Sequence, residues 1–129
     1  MNADKRRFET NIICEKIIGC AYSVANLLGT GFAEKVYENA LCIELNQATL
    51  KVEQQKLMQV KYKNIIVGDY YADILVNNLV IIELKAQNKL DDSYQAQCIN
   101  YLKASNVHVC LLINFGKPRV ETKRIVLNF

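Results

Sequence analysis

The feature that most constrains the fold is a run at residues 79–86, which is apolar except for Glu83 and Lys85. In a β-strand side chains alternate between two faces, so this run would be largely apolar on both of them. One face would carry only aliphatic residues, and the other would carry Ile81 with the two charged side chains. A strand buried on both sides needs helices above and below its sheet. The run therefore predicts the central strand of a layered α/β domain.

Three helices are predicted around this strand. Apolar residues three and four apart favour an amphipathic helix over residues 8–28, which ends at Gly29-Thr30-Gly31, and a second over about 32–46. A third is predicted over 94–105, after the helix-capping residues Asp91-Asp92-Ser93. The side chains expected to be buried are Val36, Ala40, Ile43 and Leu45 in the second helix and Ala96, Ile99 and Leu102 in the third.

The remaining segments have strand-like patterns. We expect one or two strands over residues 50–62, and the pattern continues over 65–76, with Gly68-Asp69 as a candidate bulge. After the third helix, apolar residues predict a strand over 107–115 and a short last strand over 124–129. The element order is then ααβββαββ. The predicted fold class is α/β (α+β), with a central mixed sheet of four to five strands and helices on both faces.

Length and composition are those of one domain. The chain has 129 residues, 51% of them hydrophobic, with five glycines and one proline, so we expect a single core over residues 1–129. No run approaches the roughly 20 apolar residues of a membrane-spanning helix, so no membrane partner is expected. The basic residues near Met1 lead into an amphipathic segment, which does not predict a secretion signal.

The cysteines predict reduced, packed thiols. They are odd in number and scattered in apolar surroundings, at Cys14, Cys20, Cys42, Cys98 and Cys110. A zinc site needs clustered soft ligands, whereas this chain has one histidine and no Cys-x-x-Cys pair. The expected location is cytoplasmic, where thiols stay reduced.

The net charge of +3 is too small to decide the class of partner. Basic residues do cluster near both ends of the chain, at residues 5–7 and at Lys117, Arg119, Lys123 and Arg124. Solvated ends of a small domain and contacts with nucleic acid explain these clusters equally well.

One constellation carries chemistry: Asp73, Glu83 and Lys85, in the spacing Asp-x9-Glu-x-Lys. A tight two-residue turn at Asn77-Asn78 would set Asp73 opposite Ile82 and scatter the carboxylates. A three-residue loop at 77–79, or a bulge, would set Asp73 opposite Glu83 on one face. We predict that second register.

Two carboxylates on one face match the oxygen ligands that Mg²⁺ prefers. In such a site Asp73 and Glu83 would hold the metal, while Lys85 would orient or deprotonate the attacking water or steady phosphorane charge. The alternative is a salt bridge between Glu83 and Lys85 at the exposed end of a strand. The spacing alone does not separate the two.

The sequence around these residues, YYADILV at 70–76 and IIELKA at 81–86, resembles the core of the PD-(D/E)XK nuclease superfamily. Ala72 stands where the superfamily name has proline, a position that carries no ligand. The segment GTGFAEKVYENAL at 29–41 resembles the signature of the GxxExxY family within that superfamily. It matches at Gly31, Glu34 and Tyr37.

Two later segments extend the resemblance. QCINYLK at 97–103 is similar to the Gln-x3-Tyr helix that accompanies the site in several branches, and INFG at 113–116 fits the closing strand. The likeness covers about residues 12–127 and implies a restriction-endonuclease-like core. It also implies a metal site of Asp73 and Glu83, a catalytic Lys85, and Glu34 as an additional acidic residue of the catalytic site, contributed by the helix, and a further candidate metal ligand. The implied supporting residues are Gln97, Tyr101 and Tyr37.

Plainer roles exist for several of these residues. Glu34 would also favour a helix N-terminus through the macrodipole, while Tyr37 packs in the core. Gln97 and Tyr101 would also form a hydrogen-bonded pair under a core edge. We interpret His108, alone in a valine-rich strand, as a structural histidine.

Two hypotheses about function follow. The first is a nuclease that uses Mg²⁺, or Mn²⁺ as a substitute, to hydrolyse DNA or RNA, with DNA the favoured substrate. The second is a nuclease-fold domain with little or no cleavage, which binds nucleic acid or a protein partner. Because the chain is short, its grip on a substrate would come from a modest basic surface, a homodimer or a partner protein.

Overall fold

The computed structural model describes residues 2–129 as three helices and five strands. The helices are α1 (Ala3–Leu28), α2 (Glu34–Gln47) and α3 (Asp92–Lys103). The strands are β1 (Val52–Tyr62), β2 (Ile65–Val76), β3 (Val80–Lys85), β4 (Val109–Asn114) and β5 (Glu121–Val126). The predicted order ααβββαββ and the α/β (α+β) fold class are confirmed.

The five strands form one mixed sheet in the order β1-β2-β3-β4-β5. Neighbouring strands are antiparallel except β3 and β4, which run parallel and are joined through α3. A parallel pair needs such a crossover, because its second strand must start from the same edge as the first. The predicted central strand, β3, has a partner on each side.

Helices cover both faces of the sheet. α1 and α2 pack on one face, against side chains that include Ile74, Ile82 and Leu84. α3 packs on the other face, against Leu75 and Ile81 among others. The two clusters use alternate residues of β2 and β3, as the pleat requires. Burial of each large aliphatic side chain contributes about 1.5–3 kcal/mol, so β3 holds both layers together.

The predicted buried faces of α2 and α3 were partly wrong. Val36 is 39% exposed and Ile43 is 58% exposed, contrary to the prediction. α2 buries Leu45 as predicted, together with Tyr37 and Leu41, among others. These three follow the helical spacing i, i+4, i+8, so the helix is rotated from the predicted orientation. In α3, Ala96 is exposed, and the buried residues are Cys98, Tyr101 and Leu102.

Several boundaries also differ. α1 begins five residues before the predicted start, because the side chain of Asn2 caps it by accepting a hydrogen bond from Lys5 N at 2.8 Å. The last strand lies at Glu121–Val126 and not at 124–129, in register with β4.

The bulge predicted at Gly68-Asp69 lies one residue earlier. Val60 pairs with Gly68 and Lys61 pairs with Ile66, so the extra residue of β2 is Val67. None of the helices within residues 2–129 has the length and hydropathy needed to cross a membrane.

Candidate active site

The turn between β2 and β3 sets the register of the site. Asn77 and Asn78 both have positive φ, at 51° and 55°, and Leu79 N donates to Val76 O at 2.9 Å. This left-handed pair suits asparagine, which tolerates positive φ better than most residues. The ladder resumes at Val76↔Val80 and leaves Leu79 as the extra loop residue. One position beyond the last pair, Ile74↔Ile82, Asp73 lies opposite Glu83, which is the predicted register.

The sheet forks at that position. β2 pairs with β3 only over residues 74–76, and before Ile74 it pairs with β1 alone. β3 continues past Ile82 with β4 as its one partner strand. Leu84 N therefore has no β2 carbonyl to bond, and Asp73 Oδ2 accepts its hydrogen at 2.8 Å instead. The fork opens a gap in the sheet and directs the Asp73 carboxylate into it.

Glu83 faces Asp73 across this gap and is buried. The residue is 3% exposed, and its Oε2 is a buried oxygen without a hydrogen-bond partner. Burial, together with the neighbouring Asp73 carboxylate, raises the pKa of Glu83 to about 9. A buried, ionised carboxylate beside a second carboxylate is costly unless a cation lies between them or one of the two is protonated.

Lys85 lies on the same face of β3. Its Nζ is 3.7 Å from Glu83 Oε1 and 4.4 Å from the centre of the Tyr94 ring. The alternative of a solvated salt bridge at a strand end does not describe this pair, because the two side chains are only 15% and 4% exposed. The amine is held beside the carboxylates in a mostly desolvated setting.

α2 brings Glu34 towards the site. Burial, and the neighbouring Asp73 and Glu38 carboxylates, raise the pKa of Glu34, while the nearby Lys85 ammonium lowers it. Glu34 is half-buried in the first turn of α2, after an N-cap residue, Ala33, whose side chain makes no capping bond. The structure thus places Glu34 within electrostatic reach of both Asp73 and Lys85.

Two residues that sequence reasoning did not assign to the site connect α2 with Asp73. Glu38, 5% exposed, accepts hydrogen bonds from Lys35 Nζ at 2.8 Å, Gln54 Nε2 at 2.5 Å and Gln55 Nε2 at 3.0 Å. Gln55 Nε2 also lies 3.4 Å from Asp73 Oδ1. The only sequence signal was that Glu38 is one helical turn beyond Glu34.

Gln55 has a backbone conformation that strands rarely adopt. Its φ is 52°, and the β1–β2 ladder pairs Gln54 with Ile74 and Lys56 with Ala72 but skips Gln55 and Asp73 between them. For a residue other than glycine this conformation costs on the order of 1–2 kcal/mol. The break lies directly opposite Asp73, at the position where the sheet forks.

α3 contributes Gln97 and Tyr101. Gln97 Nε2 donates to the Tyr101 hydroxyl at 3.2 Å, and that hydroxyl donates to Tyr71 O at 3.2 Å. Burial and the Glu83 carboxylate raise the pKa of Tyr101. Gln97 and Tyr101 thus form the hydrogen-bonded pair that the structural alternative predicts, and Tyr101 also adjoins Glu83.

Tyr37 has a different place. Its hydroxyl donates to Gly29 O at 2.6 Å and accepts from Phe32 N at 3.3 Å, and its ring stacks on Phe115 at 4.8 Å. Within the described residues its hydroxyl bonds no carboxylate. Gly31, between α1 and α2, has a φ of 106°, which an L side chain rarely adopts. Gly31 and Tyr37 therefore shape the α1–α2 turn that presents Glu34.

Asn114, at the end of β4, is a buried support that sequence reasoning also missed. Its Oδ1 accepts from Gln87 N and Gly116 N, both at 3.0 Å, and its Nδ2 donates to Gln87 O at 2.9 Å. A Cβ on Gly116 would lie 2.2 Å from Gln87 O, so only glycine allows this approach. The segment that follows Lys85 is thereby fastened to β4. His108 bonds the Leu127 carbonyl through Nδ1 at 3.0 Å, away from the carboxylates.

The donor set fits a hard divalent cation. Across residues 2–129, no three side chains of His, Cys, Asp or Glu converge on one point as metal ligands. Mg²⁺, however, is commonly held by one or two protein carboxylates, with water and substrate phosphate completing its shell. The orphaned Oε2 of Glu83 opposite Asp73 is the oxygen that such an ion would satisfy.

Comparison with known proteins gives two findings. A family model described as PD-(D/E)XK nuclease superfamily matches residues 11–125. The structure is also similar to that of an alkaline exonuclease (LHK-Exo) from Laribacter hongkongensis, with a TM-score of 0.50 and 13% sequence identity, over 84% of this chain and 76% of that one. At that identity the likeness bears on the fold alone. No curated protein matches the sequence.

Proposed function

The chain belongs to the PD-(D/E)XK nuclease superfamily, and on that premise we propose that it is a Mg²⁺-dependent nuclease that hydrolyses phosphodiester bonds of DNA. The observation that carries the proposal is the pairing of Asp73 with Glu83 at the fork of the sheet, with one buried Glu83 oxygen left without a partner. A domain that did no chemistry would have no need of that costly arrangement.

Asp73 and Glu83 would hold the ion, with Glu34 as a further acidic residue that reaches it directly or through water. When bound, the ion supplies Lewis-acid polarisation of the phosphodiester and a water of lowered pKa. Mn²⁺, which accepts the same oxygen ligands, is the expected substitute. The chain's own part is to hold the two carboxylates opposite each other at the fork, with Glu83 buried.

Lys85 is proposed as the catalytic lysine. Its Nζ lies 3.7 Å from Glu83 Oε1 and is held over the Tyr94 ring, so it can orient or deprotonate the attacking water, or steady the charge that develops on phosphate. Gln97 and Tyr101 support this side of the site through their mutual hydrogen bond. Tyr37 supports it indirectly, through the turn that presents Glu34.

Three finer assignments complete the proposal. Membership of the GxxExxY family is supported by the places of its three motif residues. Gly31 permits the α1–α2 turn, Tyr37 bonds the backbone of that turn, and Glu34 faces the site. Five free cysteines support a reducing, cytoplasmic location. Recognition of the substrate would draw on a homodimer or a partner protein in addition to the chain's own basic surface.

The experiment is a cleavage assay with labelled single- and double-stranded DNA and RNA, titrated with Mg²⁺ and Mn²⁺. Asp73→Asn and Lys85→Ala should each lower the rate by at least about 100-fold, as expected when metal binding or proton transfer is lost. Asp4→Asn and Lys16→Ala, both exposed on α1, are the matched controls and should keep wild-type rates. Rates that are equal in Asp73→Asn and wild type would reject the proposal, and binding without cleavage would favour the interaction-module alternative.

A further inference from the structure

A cleft of about 510 Å³ opens between the β1–β2 hairpin and α3. We name it the hairpin cleft and define it by Gln59, Lys61, Tyr70, Asn100 and Lys103, which line it together with two apolar residues. It exists because β1 and β2 continue as a two-stranded hairpin past the fork, while α3 runs beside them. The volume is large enough to hold a nucleotide-sized ligand.

The hairpin cleft is cationic. Lys61 and Lys103 are both exposed, and neither forms an ion pair within residues 2–129. No carboxylate lines the cleft. In the β1–β2 ladder, the acidic residue beside the cleft is Asp69, which pairs with Gln59 and accepts a hydrogen bond from its Nε2 at 3.4 Å. Two lysines without ion pairs among the lining residues, one on β1 and one on α3, suit a phosphate group.

An aromatic ring forms part of the wall. Tyr70 is 44% exposed, and its ring lies perpendicular to that of Tyr101, with centroids 6.2 Å apart. Tyr101 supports one side of Tyr70 and leaves the rest of the ring open to a ligand. An exposed ring beside lysines is the arrangement on which unpaired bases stack while their phosphates meet the cations.

The hairpin cleft and the candidate active site share two elements, β2 and α3. Tyr70 precedes Asp73 by three residues on β2, a span of about 10 Å along a strand. Lys103 follows Gln97 by six residues on α3, a span of about 9 Å along a helix. Both elements thus lead from the carboxylates to the cleft over about 10 Å, which is within reach of one bound nucleic-acid strand.

We propose that the hairpin cleft binds unpaired nucleotides of the substrate strand, about 10 Å from the carboxylates at which the phosphodiester would be cleaved. Lys61 and Lys103 would contact phosphate, and Tyr70 would stack on a base. The ring can stack only on a base that is not paired, because a duplex covers the faces of its bases. The substrate would therefore be a single strand or a single-stranded end. The position of the cleft relative to the cleaved bond rests on the proposed function. The binding of unpaired nucleotides does not.

The test is fluorescence anisotropy with a fluorescein-labelled single-stranded DNA 12-mer, in EDTA so that metal-dependent cleavage does not intervene. Lys61→Ala and Lys103→Ala should each reduce the slope of log affinity against log salt by about 0.7, the contribution of one phosphate contact in a single strand. Tyr70→Ala should weaken binding about tenfold, and Tyr70→Phe, which keeps the ring, should bind as wild type does. Lys16→Ala, on the opposite face of the sheet, is the matched control.

A Lys61→Ala/Lys103→Ala double variant with wild-type affinity and salt slope would overturn the inference. Tighter binding to the matching duplex, unaffected by Tyr70→Ala, would overturn it as well. Either result would leave the nuclease proposal standing if Asp73→Asn abolishes cleavage. Conversely, loss of binding in the cleft variants of a protein that cuts nothing would uphold the cleft and reject the nuclease.

Discussion

At Glu83 a buried carboxylate shares a gap with a second carboxylate, and one of its oxygens has no hydrogen-bond partner. Its pKa is raised from the ordinary 4.5 to about 9, first by burial and then by the charge of Asp73. Protonation is one way to relieve this repulsion, and a bound cation is the other. Protons and Mg²⁺ should therefore compete for this site.

This competition predicts a pH-dependent stability. Because the folded pKa of Glu83 lies above the unfolded value, its contribution to stability is complete below about pH 4.5 and is lost as pH rises through 9. The metal-free protein should become less stable over that window, and 10 mM Mg²⁺ should raise the Tm more at pH 8.5 than at pH 6. Thermal unfolding in EDTA and in Mg²⁺ measures both effects. In Glu83→Gln the Mg²⁺-induced rise in Tm should disappear at every pH, and an equal rise at pH 6 and 8.5 in wild type would contradict the assignment.

Some residues of the site could be predicted from the sequence and others could not. Asp73, Glu83 and Lys85 stood out because charge in an apolar strand needs a cause, and the predicted register brought the two carboxylates opposite each other. Gln55 gave no such signal, since its positive φ depends on where the sheet forks. The role of Asn114 likewise could not be predicted, because it depends on four hydrogen bonds to groups that only the folded chain brings together.

Among the elements, the α1–α2 turn shows how a motif can be structural and still serve the site. Gly31 permits the turn, and the Tyr37 hydroxyl bonds its backbone at Gly29 O and Phe32 N. The α1–α2 turn determines where α2 begins and therefore where Glu34 lies. Spacing alone predicted that Glu34 and Tyr37 share a helix, but not that Tyr37 points back into the core.

Removal of the Tyr37 hydroxyl should therefore affect stability more than chemistry. Tyr37→Phe leaves the stacked ring but removes the hydroxyl's hydrogen bonds to Gly29 O and Phe32 N, which should cost about 1 kcal/mol and lower the Tm by roughly 3–6 °C. The cleavage rate of the folded protein should stay within about threefold of wild type, since the variant removes no group that touches the substrate. Urea unfolding and a cleavage assay below the Tm separate the two effects. Tyr22→Phe, a surface change on α1, is the control, and a 100-fold loss of rate in Tyr37→Phe with unchanged stability would show that the hydroxyl acts in the site.

The strands were easier to predict than the faces of the helices. β3 is apolar on both sides, and only a central position buries it. α2 has apolar residues in more than one stripe, so its periodicity allowed two orientations, and contact with Phe115 favours the one that buries Tyr37. Tertiary packing, which local spacing does not contain, decided between them.

In the whole molecule the fork of the sheet unites the site and the hairpin cleft. Before Ile74, β2 pairs with β1 alone as a free hairpin, which opens a gap for the carboxylates and a cleft beside α3. Both lie next to the Gln97–Tyr101 pair. Under the two proposals, a substrate strand would be bound by the hairpin and cleaved at the fork.

The central claim is that Asp73 and Glu83 together hold a divalent cation. A crystal soaked in 5 mM Mn²⁺, with anomalous data collected at the manganese edge, tests it directly. We expect one anomalous peak about 2.2 Å from carboxylate oxygens of both residues, and no peak there in Asp73→Asn. A wild-type map without density between these carboxylates at that concentration would contradict the claim, and the nuclease proposal would fall with it.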